Sequence, residues 1–119
     1  MSSKVTVRHS GNVAVVDLAG RITLGEGSGM VRSTIKDLVA NGDKNVLLNL
    51  KDMTYMDSAG LGEVVGAYAT VTNAGGNIKL LNPLGKIKEL LHVTKLFTVF
   101  ETFENEDDAV RSFGSVARA

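Results

Sequence analysis

Val46-Leu47-Leu48-Asn49-Leu50-Lys51-Asp52-Met53-Thr54-Tyr55-Met56-Asp57-Ser58-Ala59-Gly60-Leu61-Gly62 is the stretch on which the fold turns. Residues 46–50 are apolar at four of five positions, the pattern of a strand covered on both faces. Residues 55–62 form a turn that opens a helix. Leu61, Val64, Val65 and Tyr68 then recur at i, i+3, i+4 and i+7, and Asn73-Ala74-Gly75-Gly76 stops the helix. A further strand follows at Ile78-Lys79-Leu80-Leu81. Strand, helix and strand in succession imply a right-handed crossover and parallel pairing.

The rest of the chain extends the same alternation. Val5-Thr6-Val7-Arg8 and Val13-Ala14-Val15-Val16-Asp17-Leu18 read as two strands joined at Ser10-Gly11-Asn12. Residues 20–29 are a loop by composition. Val31, Ile35, Leu38 and Val39 share one helical face, and Asn41-Gly42 ends that helix. Asn82-Pro83 predicts a helix cap and a first-turn proline ahead of Ile87, Leu90 and Leu91. A last strand lies within residues 97–103. A final helix starts near Asn105, places Glu106, Asp107 and Asp108 in its positive first turn, and buries Ala109, Val110 and Phe113. The order ββαβαβαβα predicts an α/β fold with a mostly parallel sheet of about five strands and about four helices. The first hairpin adds an antiparallel strand.

With 119 residues and 44% hydrophobic content, the chain is expected to form one domain over residues 1–119 and to bury roughly two-thirds of its unfolded surface. Thirteen basic residues balance thirteen acidic ones, which gives no electrostatic reason to expect nucleic acid as a partner. Cysteine is absent, so disulfides and thiolate metal sites are excluded. No basic stretch followed by an apolar run opens the chain, and no apolar segment approaches the length of a membrane span. A soluble, cytoplasmic protein without a membrane partner is the expectation.

Asp57 and Ser58 carry the chemistry. They stand where a helix begins, among free N–H groups and a partial positive charge that suit an anion. A serine there is a cap, a nucleophile or a phosphorylation site. A hydrolase elbow needs Gly-x-Ser-x-Gly, but Met56 occupies the first of those positions. His9 and His92 are the only histidines, and neither carries a recognisable partner acid. Capping by Asp57 or Ser58 accounts for about 1 kcal/mol. It leaves Gly60 and Gly62 unexplained, since glycine in a helix costs about 1 kcal/mol relative to alanine. Small residues there let another protein approach the hydroxyl closely.

Other patterns carry less. Gly25-Glu26-Gly27-Ser28-Gly29 lacks the Gly-Lys-Ser/Thr ending of a phosphate loop. The acidic run at residues 104–108 lacks the ligand spacing and turn glycine of a calcium loop. Neither a metal site nor a cofactor is expected. Met53 and Met56 belong by default to the core, although an exposed methionine makes an adaptable contact.

With strand, serine turn and helix placed, the chain resembles STAS domains, and more closely the single-domain bacterial anti-sigma factor antagonists. The resemblance covers the opening hairpin, the Gly20 corner, the turn Asp57-Ser58-Ala59-Gly60-Leu61-Gly62, Gly75-Gly76, and Phe100 opening the last strand. It implies a binding switch with no catalytic residue. The unmodified protein binds an anti-sigma factor that is also a serine kinase and so releases a sigma factor. Phosphorylation of Ser58 ends the binding, and a phosphatase resets it. By the same resemblance, Thr23, Met56, Asp57, Ser58, Ala59, Gly60, Leu61 and Gly62 form the partner-binding set. Relatives carry acidic residues after the corner glycine, where Arg21 and Thr23 stand here. A STAS subunit of a stress-signalling or lipid transport complex is the alternative, followed by a small nucleotide-binding protein. On the helix after Ser58, Val65 is expected to be buried and Leu61 partly exposed.

Overall fold

The computed structural model describes residues 3–25, 27 and 29–114. Strand β1 (Lys4–Ser10) turns through Gly11 and Asn12 into β2 (Val13–Ile22). Helix α1 (Met30–Ala40) leads to β3 (Asn45–Met56), α2 (Ser58–Asn73) and β4 (Asn77–Leu81). Helix α3 (Gly85–Val93), a short 3₁₀ turn at Leu96–Thr98, β5 (Thr102–Phe103) and α4 (Glu106–Ser112) complete the chain. The strands lie in the order β1-β2-β3-β4-β5. Only β1 pairs antiparallel, as expected of a strand joined by a two-residue turn; the others run parallel. No described helix is long and apolar enough to cross a membrane.

Alternation along the strands divides the core in two. Ala14, Val16, Leu18, Val46, Leu48, Leu50, Ile78 and Leu80 face α1, α2 and α3. Val13, Val15, Leu47 and Leu81 face Ala109 of α4, with Phe103, Val110 and Phe113 at the rim. Each such valine, leucine, isoleucine or phenylalanine taken from water stabilises the fold by roughly 1.5–3 kcal/mol before conformational entropy is charged against it.

An ion triad fastens α4 to the sheet. Arg8 donates from Nε to Asp17 Oδ2 and from Nη1 to Glu106 Oε2, both at 2.7 Å. Its Nη2 donates to Asp17 Oδ1 at 3.1 Å and to Glu106 Oε1 at 2.7 Å. Asn49 Nδ2 adds a bond of 2.8 Å to Asp17 Oδ1. The hydrogen bonds from Arg8 hold both carboxyls below their usual range, against partial burial, and Glu106 and then Asp17 raise the guanidinium further.

Four expectations need correction. The strand read at residues 46–50 extends to Met56, because the bulged second half of β2 continues to pair with it: Arg21 stands beside Tyr55 and Ile22 beside Met56. Asn82-Pro83 does not cap α3. Asn82 takes a left-handed φ of 54° and donates its N–H to Phe103 O at 2.7 Å, serving as the exit from β4, and Leu84 precedes the helix without a side-chain cap. Phe100 does not open β5, which comprises only Thr102 and Phe103. Instead it is buried, with its ring edge-on to Tyr68 at 5.4 Å.

The fourth correction concerns α2, whose inner residues are Gly60, Val64, Ala67 and Val71. Val65 is 41% exposed. Periodicity judged by large side chains alone placed the stripe one residue too far round. The close approach of α2 to the sheet is made through the small residues Gly60 and Ala67. Leu61 lies partly buried at the stripe's margin, as expected.

Candidate functional site

The site is the junction of β3 with α2. Asp57 is the N-cap, with extended backbone at φ −102° and ψ −170°. Its Oδ1 accepts from Gly60 N–H at 3.0 Å, and Oδ2 accepts from Leu24 N–H at 3.2 Å. One carboxylate thus closes the helix start and fixes the loop after β2. The Gly60 N–H is the main cause that holds this carboxyl below its ordinary range; Leu24 and Ala59 assist and desolvation opposes. Capping therefore belongs to Asp57, which leaves the next residue unoccupied. Ser58 is the first residue of α2, is exposed, and makes no side-chain hydrogen bond among the described residues.

The two glycines of the turn differ in kind. A Cβ on Gly60 would fall on the Ile22 carbonyl and lie 2.8 Å from Met56 Cγ. Gly60 is therefore required by the packing of α2 against the end of β2, and a docking protein gains nothing from its missing side chain. A Cβ on Gly62 would meet nothing within 4 Å. Only Gly62 presents open backbone to solvent.

Burial sorts the rest of the sequence-predicted set. Met56 is 3% exposed and Gly60 is buried, so both support the turn from below and neither offers a contact surface. Methionine at that point was ambiguous in sequence; pairing of Ile22 with Met56 carries its side chain into the core. Thr23, Asp57, Ala59 and Leu61 are partly exposed, and Ser58 and Gly62 exposed. Thr23 sits on the neighbouring loop and bridges to Gly27. Arg21 stacks its guanidinium 4.7 Å over the ring of Tyr55.

Two further residues belong here that sequence reasoning passed over. Leu24 is 75% exposed and is tied by its backbone N–H to Asp57, the residue before the serine. A lone leucine in a glycine-rich loop was the available signal. Glu63 caps the neighbouring helix: its carboxylate accepts from Gly29 N–H and, at 3.3 Å, from Arg32 N–H at the start of α1. Nothing in the spacing of Glu63 announces this, because its partners lie about thirty residues away in sequence. No group of three metal-binding side chains occurs among the described residues.

Fold and site together define an α/β module with an exposed serine heading a helix, and comparison with known proteins specifies the class. The chain belongs to the STAS domain family, whose model matches residues 4–109. It is 30% identical over 111 residues to the anti-sigma-B factor antagonist of Bacillus subtilis, covering 93% of this chain and 100% of that protein. Its fold is similar to a putative anti-sigma factor antagonist from Thermotoga maritima, with TM-score 0.84, 17% identity, and 92% and 93% of the two chains covered. It is also similar to the phosphorylated form of the Bacillus cell fate determinant SpoIIAA, with TM-score 0.71, 20% identity, and 92% and 99% covered.

Proposed function

We propose that this chain is an anti-sigma factor antagonist whose unmodified form docks on an anti-sigma factor with serine-kinase activity. Phosphorylation of Ser58 ends that docking, and a phosphatase restores it. The observation that carries the reading is the division of labour at the head of α2: Asp57 performs the capping, so the exposed Ser58 hydroxyl is left for another molecule. The names of the relatives support the class of partner. Thr23, Leu24, Ala59, Leu61 and Gly62 surround the serine and form the contact surface.

The switch acts on docking and leaves the fold intact. Phosphate adds about −1.5 to −2 charges at neutral pH. On the free protein it sits in water at the positive end of α2, an attraction of roughly 0.3–1 kcal/mol. Under a docked partner the same group loses water without compensation, which costs several kcal/mol. At 1.4 kcal/mol per tenfold, affinity falls by about two orders of magnitude or more.

The test is phosphate transfer from radiolabelled ATP by anti-sigma factors of the source genome, with the label mapped by mass spectrometry. The expected result is one phosphate, on Ser58, and none on Ser58→Ala. A label elsewhere, or undiminished binding of the phosphorylated protein, refutes the reading.

A further inference from the structure

Helices α1 and α2 pack side by side and leave between them a groove of about 260 Å³. One wall is α2, where Gly62, Gly66 and Thr70 follow one another at single-turn spacing. A Cβ on Gly62 or Gly66 would meet nothing within 4 Å. The other wall is α1, with Arg32 and Lys36 one turn apart and Ile35 at the floor. Both cations are exposed, and neither side chain has an ion-pair or hydrogen-bond partner among the described residues. The groove's carboxylate, Glu63, already accepts from backbone N–H groups of α1. The groove thus combines absent side chains on one wall with two cations on the other, against the single carboxylate of Glu63.

We infer that this groove receives an acidic helical segment of the protein that docks on Ser58, an inference that rests on reading the Ser58 face as a docking surface. Open glycines let a third helix axis approach at the short end of the usual 8–10 Å range. Arg32 and Lys36, about 6 Å apart along α1, match carboxylates spaced one turn apart on the occupant. Ser58 heads the same line of α2 residues, four before Gly62. A phosphate there stands at the mouth of the groove and repels the carboxylates that the cations attract. The occupant's acidity therefore strengthens the switch.

The probe is an alanine-based helical peptide of about 16 residues bearing three glutamates at single-turn spacing, beside its glutamine counterpart. Each is titrated into isotope-labelled full chain at low salt and followed by amide shifts. The glutamate peptide is expected to shift Arg32, Lys36, Gly62, Gly66 and Thr70, and to bind at least tenfold more tightly than the glutamine peptide. Arg32→Glu with Lys36→Glu should weaken it at least tenfold, and Gly66→Leu should block it, with melting curves confirming that both variants fold. Equal response to both peptides, shifts confined to other surfaces, or no response at about millimolar peptide overturns the inference. The phosphotransfer assay is unaffected by these outcomes, so failure of the groove is distinguishable from failure of the Ser58 reading.

Discussion

Alanine at Gly60 and alanine at Gly62 should move stability in opposite directions, although the two positions are two residues apart on one helix. Replacing glycine in a helix interior favours the helix by about 0.8–1 kcal/mol. Gly62→Ala should realise most of this, since its new Cβ has nothing within 4 Å. Gly60→Ala meets the same gain with a larger opposing effect. Its Cβ falls on the Ile22 carbonyl, a backbone atom that cannot rotate away, and lies 2.8 Å from Met56 Cγ, which can. Relief requires the first turn of α2 to move off β2, disturbing the Asp57 bridge to Leu24. Overpacking costs about 1–3 kcal/mol, and a clash with backbone falls in the upper part of that range at about 2–3 kcal/mol, so the net change is a loss of about 1–2 kcal/mol. Urea unfolding followed by far-ultraviolet circular dichroism reads this directly. With a slope of about 1–3 kcal/mol per molar, the two midpoints should separate by roughly 1 M, with the parent between them. If Gly60→Ala proved as stable as the parent, the close approach of α2 to β2 would be wrong, and with it the structural account of this glycine.

Ser58→Asp should lower affinity for the anti-sigma factor by about a hundredfold while its melting temperature stays within a degree or two of the parent's; Ser58→Ala should bind whether or not kinase and ATP are present. Calorimetric titration and melting curves decide both. Incubated alone with ATP, the chain should acquire no phosphate; label on the purified protein would mean that it carries its own catalytic groups. Val64→Ala should cost about 1–3 kcal/mol and Val65→Ala less than about 0.5 kcal/mol, measured by the same urea titration. The Asp17 and Glu106 carboxyls have folded pKa values below their unfolded ones. Their contribution is therefore complete above the ordinary carboxylate range and is lost as pH falls through the lowered values. Arg8→Leu should remove about 1 kcal/mol at neutral pH, discounted because Arg8 is 43% exposed, and should flatten the stability profile below about pH 4. A parent and variant with parallel acid limbs would contradict that assignment.

The order of elements was legible because each strand and helix carries its own period, and the parallel sheet followed from their alternation. What escaped the sequence was set by long-range contact. Strand β3 runs to Met56 because β2 lies beside it, and no property of Thr54 or Tyr55 alone predicts that pairing. Asn82 looked like a cap because asparagine before proline often is one; the sheet edge took its backbone instead. Val65 and Val64 are the same residue type, and the rotation of α2 that turns Gly60 to the sheet decides which one faces inward. At the site, the serine and its acidic neighbour were visible as a motif, but their separate duties were not. The loop that delivers Leu24 N–H to Asp57 assigns the cap to the aspartate.

The Arg8 triad also bears on how the protein behaves when it is stored or handled in acid. Helix α4 is the only described helix over its face of the sheet and spans seven residues, too few to persist once released. Beneath it, Val13 and Val15 of β2 adjoin Leu47 of β3, and Leu81 lies on β4. These side chains are at most 1% exposed. Protonating Asp17 and Glu106 removes the ionic part of this latch and leaves α4 held by Ala109 in the apolar cluster and by the bonds from Lys79 Nζ to Ser112. A molecule whose α4 has lifted exposes this apolar strip, and exposed apolar patches of that kind associate. Self-association, followed by light scattering against pH, is therefore expected to rise in acid, and to rise at neutral pH when Arg8→Leu removes the same latch.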